Sequence, residues 1–115
     1  MLRVLIVEDD LAMRELLKRM IRDLVESFFE CSDGSEALSA YAAHRPDWVL
    51  MDIRMEEVDG LTATQQITSV WPGARVVIIT SYDGASLRDA ARQAGACQYV
   101  LKENLLELRS ILAAT

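Results

Sequence analysis

The chain has 115 residues, of which 51% are hydrophobic, and a formal net charge of -6. This length and composition fit a single globular domain with a real core and exclude a disordered chain. A nucleic-acid-binding segment usually carries a basic patch, but here 18 acidic residues outnumber 12 basic ones, so we expect no direct contact with nucleic acid. No apolar run approaches the ~20 residues of a membrane span, and the N-terminal sequence does not follow the pattern of a signal peptide.

Five apolar runs predict β-strands. They are rich in Val, Ile, Leu or aromatic residues and mostly lack clean alternation, which is typical of strands buried on both faces of a parallel sheet. In chain order they cover residues 2–7, 27–31, 47–52, 74–80 and 97–102. Cys31 and Cys97 fall within these runs. We interpret them as reduced core thiols of a cytoplasmic protein, not as a disulfide or half of a zinc site.

Helical patterns fill the intervals between the strands. They cover about residues 13–25, 33–44, 60–70, 85–94 and 104 onward. Two capping boxes are expected at helix starts, one from Asp33 with Glu36 and one from Asn104 with Glu107. The fourth helix has a thin, alanine-rich apolar face, which favours an element that is weakly attached to the core.

Strand and helix therefore alternate five times without a linker, which predicts one (βα)5 domain over residues 1–115. The fold class is α/β, with a doubly wound parallel sheet, right-handed crossovers and helices on both faces. In such sheets, ligands bind beyond the carboxyl ends of the strands, near a switch in strand order.

Polar residues stand at the carboxyl ends of four of the predicted strands. They are Glu8, Asp9 and Asp10 after the first strand, Asp52 after the third, Thr80 at the end of the fourth and Lys102 after the fifth. Because these ends share one edge of a parallel sheet, we expect the side chains to converge there. Adjacent buried carboxylates repel each other and are costly unless a positive group holds them.

This set of residues has a chemical logic. Clustered carboxylates without a neighbouring His or Cys pair favour a hard divalent cation such as Mg²⁺. Lys102 supplies a mobile positive charge, and Thr80 a hydroxyl, for phosphoryl oxygens. Asp52 stands alone at its strand end and is the best candidate for a nucleophile that forms an aspartyl phosphate. Phosphoryl transfer depends mainly on positioning and charge neutralisation, which a metal and a lysine can supply.

From Val4 to about Leu112 the chain resembles the receiver domain of two-component response regulators. The matching motifs are Glu8 and Asp9 in "VEDD", Asp52 in "LMDIRMEEVDG", Thr80 in "IITS", and Tyr99 and Lys102 in "YVLK". Two positions depart from the pattern, because Glu56 and Glu103 stand where the family often has proline. The second departure resembles the LuxR/NarL branch, whose members carry helix-turn-helix DNA-binding output domains.

The resemblance implies a flavodoxin-like (CheY-like) sheet with strand order 2-1-3-4-5. It also implies that Asp52 takes a phosphoryl group from a sensor histidine kinase or a small acyl phosphate. Mg²⁺ would be held by Asp9 and Asp52 directly, by Glu8 through water and by the main-chain carbonyl of Arg54. Lys102 and Thr80 would grip the phosphoryl oxygens. Such a domain is not an enzyme toward an external substrate, since it catalyses only its own phosphotransfer and dephosphorylation.

The resemblance further implies that Thr80 and Tyr99 act as switch residues. Their movement would repack the face formed by the fourth helix, fifth strand and fifth helix. That face would control an output domain or a partner protein, and it or another helical face is a candidate surface for a homodimer, although the sequence does not establish the oligomeric state. Arg54 and Tyr82 are bulky residues that would flank the attacking water, so we predict slow self-dephosphorylation.

Other interpretations stay open beside this one. Asp10 is interpreted as the acidic start of the first helix instead of a metal ligand, and Tyr99 could simply pack in the core. A domain of the same fold could bind partners without phosphorylation. An Mg²⁺-dependent phosphatase of the haloacid dehalogenase type also uses an Asp nucleophile, but its nucleophile follows the first strand and has another Asp two residues on, whereas Arg54 lies two residues after Asp52.

Overall fold

Strands and helices alternate along the chain in the computed structural model, which describes residues 1–114. The strands are β1 (Leu2–Val7), β2 (Val25–Cys31), β3 (Trp48–Met51), β4 (Val76–Thr80) and β5 (Gln98–Leu101). The α-helices are α1 (Leu11–Ile21), α2 (Ala37–His44), α3 (Gly60–Val70), α4 (Ala85–Ala94) and α5 (Leu106–Ala113). Short 3-10 turns cover residues 22–24, 34–36 and 102–104. None of the described helices is both long and apolar enough to cross a membrane.

The five strands form one parallel sheet in the order β2-β1-β3-β4-β5. This order confirms the predicted doubly wound, flavodoxin-like fold. The chain runs outward from β1 to β2 and then returns to the other side of β1 with β3. The switch in strand order therefore lies between β1 and β3, where ligands bind in sheets of this class.

Each face of the sheet carries its own hydrophobic core, because alternate residues of a strand point to opposite faces. On one face, strand residues such as Leu5 and Met51 pack with Tyr41 of α2, Ile67 of α3 and Ala91 of α4. On the other face, the core contains strand residues Val4, Ile6, Leu50, Val77 and Ile79 together with Leu17 and Ile21 of α1 and Leu108 and Leu112 of α5. The sheet is thus covered on both sides, and its carboxyl edge stays accessible.

Val25 was expected to end the first helix, and that expectation is wrong. Helix α1 ends at Ile21, a 3-10 turn follows, and Val25 opens β2 opposite Leu2 of β1. An apolar residue at this position satisfies the helical period and also a strand start, so the sequence pattern could not separate the two. Cys31 is buried as expected, whereas Cys97 is exposed because it precedes the edge strand β5.

Neither predicted capping box forms. The Asp33 carboxylate accepts a hydrogen bond from the N–H of Ser35, and the carboxylate of Glu36 accepts one from the hydroxyl of Ser32. At the other site, the Asn104 amide donates directly to the Glu107 carboxylate, and α5 begins only at residue 106. In both places a 3-10 turn lies before the α-helix: Asp33 caps that turn through the Ser35 N–H, and Asn104 lies within the turn, so neither residue is at the start of the α-helix itself.

We predict that Leu108→Ala lowers the free energy of unfolding by about 2–5 kcal/mol, because it removes a fully buried side chain and leaves a cavity. Leu106→Ala, in the same helix, is the matched control because Leu106 is 70% exposed. It should change stability by less than about 0.5 kcal/mol. Urea unfolding of both variants measures the difference, and equal losses would contradict the described position of α5.

Candidate functional site

Three carboxylates meet at the carboxyl ends of β1 and β3. Glu8 and Asp9 directly follow β1, Asp52 directly follows β3, and one oxygen from each lies within 4.8 Å of the others. Main-chain hydrogen bonds fix the two chain segments. The Asp52 N–H donates to the Val7 carbonyl at 2.9 Å, and the Glu8 N–H donates to the Cys31 carbonyl at 3.0 Å. The carboxylates are therefore held by the sheet and not by flexible loops.

Lys102 brings a positive charge to this group from the end of β5. Its Nζ lies 2.8 Å from Oε1 of Glu8 and 3.2 Å from Oδ1 of Asp52. Glu8 is 2% exposed and Asp52 is 7% exposed, whereas Asp9 is open to solvent. One ammonium thus faces two buried carboxylates and a third nearby, so the pocket formed by Glu8, Asp9, Asp52 and Lys102 has a surplus of negative charge. We call it the acidic pocket.

Burial and the surplus of negative charge shift the pKa values of the residues in the acidic pocket. Burial, reinforced by the neighbouring Asp9, raises the pKa of Glu8 to about 7, although Lys102 opposes the shift. Burial also raises the pKa of Asp52 above its ordinary value against the attraction of Lys102. For Lys102, burial alone would lower the pKa, but Glu8 and Asp52 outweigh it and raise the pKa of the ammonium. The lysine therefore stays charged, and the buried acids resist ionisation together.

The acidic pocket fits a hard divalent cation. Its donors are carboxylate oxygens, the ligands that Mg²⁺ prefers. The buried Oε1 of Glu8 lies 2.8 Å from the Lys102 ammonium, the charged partner that it shares with Asp52. Asp10 stands outside the group; its N–H donates to Oε2 of Glu8 at 3.2 Å, and it lies just before α1. An added cation would offset the surplus negative charge of the acidic pocket.

Thr80 and Tyr99 lie on the adjacent strands β4 and β5 and are connected through one residue. Thr80 is buried at the end of β4, and its hydroxyl oxygen accepts the Tyr82 N–H at 3.2 Å. The Tyr99 hydroxyl donates to the Tyr82 carbonyl at 2.6 Å. The guanidinium of Arg88 in α4 covers the Tyr99 ring at 4.6 Å from its centre. A change at Thr80 can therefore reach α4 and β5 through the main chain of Tyr82.

Arg54 and Tyr82 form a second link between strand ends. The guanidinium carbon of Arg54 lies 4.3 Å from the centre of the Tyr82 ring, which is a cation–π geometry. Arg54 comes two residues after Asp52, and Tyr82 comes two residues after Thr80. Both side chains are exposed, so this pair joins the loops that follow β3 and β4 on the solvent side.

Gly60 is needed where α3 begins, because this backbone runs against Asp52. A Cβ at Gly60 would lie 1.8 Å from the main-chain oxygen of Asp52. The Gly60 N–H donates to the Ile53 carbonyl at 2.7 Å, and the side chain of Asp59 caps α3 by accepting from Thr62. The Asp-Gly turn seen in the sequence thus allows α3 to approach the strand end that carries Asp52.

Asp33 is the residue whose contacts the sequence did not reveal. Beyond the bond from Ser35, its carboxylate accepts the Glu57 N–H at 3.0 Å and the Val58 N–H at 3.1 Å. The N–H groups of Glu57 and Ser35 lower the pKa of Asp33 well below its usual range. Glu57 and Val58 lie 24 and 25 residues after Asp33 in the chain. No local spacing could have indicated them.

The model for the family described as "Response regulator receiver domain" matches residues 4–113. The chain belongs to this family. The receiver domain is 36% identical to the response regulator MprA of Mycolicibacterium vanbaalenii over 98% of this chain and 51% of that protein. It is 35% identical to MprA of Mycobacterium avium over 99% of this chain and 52% of that protein. The chain thus spans about half the length of the curated relatives it matches.

Solved structures give the same assignment. A LuxR-family two-component response regulator from Aurantimonas superposes with a TM-score of 0.86 at 31% identity, over 98% of this chain and 86% of that one. The signal receiver domain of the response regulator NarL from Mycobacterium tuberculosis superposes with a TM-score of 0.86 at 27% identity. The match covers 99% of this chain and 98% of that one. A chain of the CheX-CheY-BeF3-Mg²⁺ complex from Borrelia burgdorferi superposes with a TM-score of 0.85 at 25% identity. The match covers 98% of this chain and 89% of that one. These structures include receiver domains of the LuxR/NarL branch.

We predict that Glu8→Gln flattens the pH dependence of stability of the metal-free receiver domain. Because the pKa of Glu8 is raised from 4.5 to about 7, the folded state holds a proton that the unfolded state has released. Stability then falls as pH rises between these two values. The variant lacks the titrating group, so its melting temperature should exceed that of wild type at pH 7.5 in EDTA. The difference should shrink toward pH 5.

Glu26→Gln serves as the control, since it makes the same charge change at an exposed position of β2. It should follow the wild-type pH profile. Differential scanning calorimetry of the three proteins across this pH range gives the answer. The same slope in Glu8→Gln as in wild type would contradict the effect of burial on Glu8.

Proposed function

We propose that this receiver domain accepts a phosphoryl group on Asp52 and uses it to switch the face formed by α4, β5 and α5. The observation that carries the proposal is the acidic pocket itself. Within it, Asp52 lies beside two further carboxylates and in contact with the Lys102 ammonium. Clustered carboxylates beside a lysine ammonium have the composition that phosphoryl transfer needs, because that reaction depends on positioning and on charge stabilisation.

Four residues would hold Mg²⁺ in the receiver domain. Asp9 and Asp52 would bind it directly, Glu8 through a water molecule, and Arg54 through its main-chain carbonyl. When bound, the cation supplies charge stabilisation to the oxygens of the transferring group. The same demand explains why the chain keeps buried acids whose repulsion Lys102 only partly offsets.

The phosphoryl donor would be a sensor histidine kinase or a small acyl phosphate. A carboxylate oxygen of Asp52 attacks phosphorus in line, the new O–P bond forms, and the bond to the donor breaks with its electron pair leaving on the donor. Lys102 already contacts Asp52 and can follow the transferred group as a mobile point charge. The Thr80 O–H would donate to a phosphoryl oxygen, and the movement toward it would draw the hydroxyl oxygen away from the Tyr82 N–H that it accepts in the unphosphorylated domain.

The movement of Thr80 would be transmitted to the α4-β5-α5 face. Release of the Tyr82 N–H loosens the segment whose carbonyl holds the Tyr99 hydroxyl. Tyr99 then turns inward, and Arg88 loses the ring that it covers. Helix α4 can respond because Ala91 alone is fully buried within it, and few buried apolar contacts make an element easy to shift.

The output is proposed from the branch to which the sequence is similar. Glu103 in place of proline is typical of the LuxR/NarL branch, and a LuxR-family regulator is among the similar structures. We infer that the switched face controls a helix-turn-helix DNA-binding output domain, or a partner protein, and thereby transcription. A homodimer through the same face would give the phosphorylated state a second means of control.

We predict that incubation with acetyl phosphate and Mg²⁺ adds one phosphoryl group to the wild-type domain and none to Asp52→Asn. Asparagine has nearly the same shape but lacks the nucleophilic carboxylate oxygen. Intact-mass spectrometry measures the adduct. Asp23→Asn is the control, because Asp23 is an exposed acid in the turn between α1 and β2, at the opposite edge of the sheet. Adducts on both Asp52→Asn and wild type, or on neither, would refute the proposal.

We also predict that Arg54→Ala and Tyr82→Ala each shorten the lifetime of the phosphorylated domain several-fold. Each substitution opens the Arg54–Tyr82 pair, which would hinder the attacking water. Loss of phosphate after removal of the donor can be followed by electrophoresis in the presence of a phosphate-binding additive. Arg19→Ala, at an exposed position of α1, should retain the wild-type lifetime. Unchanged phosphate lifetimes in both Arg54→Ala and Tyr82→Ala would contradict the role of the Arg54–Tyr82 pair.

A further inference from the structure

The segment between β3 and α3 has no regular secondary structure from residue 52 to residue 59. It is anchored near its two ends. The Asp52 N–H donates to the Val7 carbonyl, and the Gly60 N–H donates to the Ile53 carbonyl. Between these anchors lies Arg54, whose carbonyl is a proposed ligand. Something must hold the outer part of this segment if that carbonyl is to stay in place.

Asp33 supplies this restraint from the opposite loop, which joins β2 to α2. One carboxylate oxygen accepts the Glu57 N–H at 3.0 Å, and the other accepts the Val58 N–H at 3.1 Å. The Ser35 N–H donates to the second oxygen at 2.8 Å and so fixes the orientation of the carboxylate itself. Hydrogen bonds to a charged acceptor are stronger than neutral ones. The side chain thus joins two loops at the rim of the acidic pocket.

Gly34 adds an independent steric contact at the same place. It is buried, and a Cβ at this position would lie 2.3 Å from the main-chain oxygen of Val58 and 3.1 Å from that of Asp59. Both groups are backbone atoms, which cannot move aside as the end of a flexible side chain could. The glycine therefore permits the close approach that the Asp33 hydrogen bonds require.

We propose that Asp33 is a positioning residue for the cation site, acting through residues 54–58, and that Gly34 makes the contact sterically possible. The inference rests on the proposed function of the acidic pocket. With the link in place, the segment is held before the cation arrives. Without it, the ordering of residues 54–58 has to occur upon binding, which weakens the apparent affinity. A purely structural cap of the following turn would affect stability alone.

The test compares two pairs of variants. Asp33→Ala removes the link, and Asp59→Ala removes a comparable backbone-capping carboxylate, which accepts the Thr62 N–H at the start of α3. Gly34→Ala introduces the clash, and Gly73→Ala adds a methyl group where nothing lies within 4 Å. Isothermal titration calorimetry measures Mg²⁺ binding to each unphosphorylated domain, urea unfolding measures stability, and hydrogen exchange measures protection of the Glu57 and Val58 amides.

We expect Mg²⁺ to bind about fivefold to tenfold more weakly to Asp33→Ala and Gly34→Ala, a loss equivalent to about one ordinary hydrogen bond. Amide protection at Glu57 and Val58 should fall as well. Both controls should stay within about twofold of wild-type affinity. Asp33→Asn keeps one acceptor oxygen and should recover part of the affinity, and it replaces the alanine variant if that one fails to fold.

Two results would overturn the inference. Unchanged Mg²⁺ affinity in Asp33→Ala and Gly34→Ala, with a loss of stability like that of Asp59→Ala, would reduce Asp33 to a local cap. In that case wild type still binds Mg²⁺ and accepts a phosphoryl group, so the proposed function survives. Absence of Mg²⁺ binding by wild type would instead refute the proposed cation site, and the inference with it.

Discussion

The central constraint in this molecule is the burial of like charges beside a single opposite charge. Glu8 and Asp52 are held by main-chain hydrogen bonds at the ends of two adjacent strands, and among residues 1–114 only Lys102 forms an ion pair with both. Burial of this kind costs free energy that packing elsewhere has to offset. A fold that keeps such an arrangement gains nothing in stability from it. The proposed function accounts for the arrangement, because a bound cation and a transferred phosphoryl group would complete the pocket.

The sheet topology makes the arrangement possible. Residues 8, 52 and 102 lie far apart in sequence but follow three parallel strands of one sheet. The switch in strand order between β1 and β3 leaves a gap between the helices of the two faces, and the carboxylates lie in that gap. Helices α1 and α5 cover one face, and α2, α3 and α4 cover the other. In the proposed function, phosphotransfer would take place at the ends of β1 and β3, and switching would involve α4, in which Ala91 alone is fully buried.

Much of the architecture could be predicted because strands buried on both faces leave a strong signal. β1 was located to the residue, and α3 and α4 also match their predicted bounds. The convergence of Glu8, Asp52 and Lys102 followed from the rule that parallel strands end at one edge. Local pattern alone was enough for these features, since each depends on neighbours in sequence and on one general property of parallel sheets.

The remaining features depend on contacts that sequence spacing cannot encode. Val25 fits two periodicities, and only its pairing with Leu2 decides between them. Cys97 was misplaced because the exposure of an edge strand is a property of the whole sheet. Asp33 resembled a local cap, yet its carboxylate also holds a loop more than twenty residues away. Long-range polar contacts of this kind are invisible until the two loops are placed side by side.

The most direct test of the account is to locate a cation in the acidic pocket. Crystals of the receiver domain soaked in Mn²⁺, a substitute for Mg²⁺ with a measurable anomalous signal, would show its position without reference to activity. The account predicts one strong anomalous peak among the carboxylates of Glu8, Asp9 and Asp52. A fully soaked crystal with no peak there, or with Lys102 turned away and the three acids separated, would contradict it.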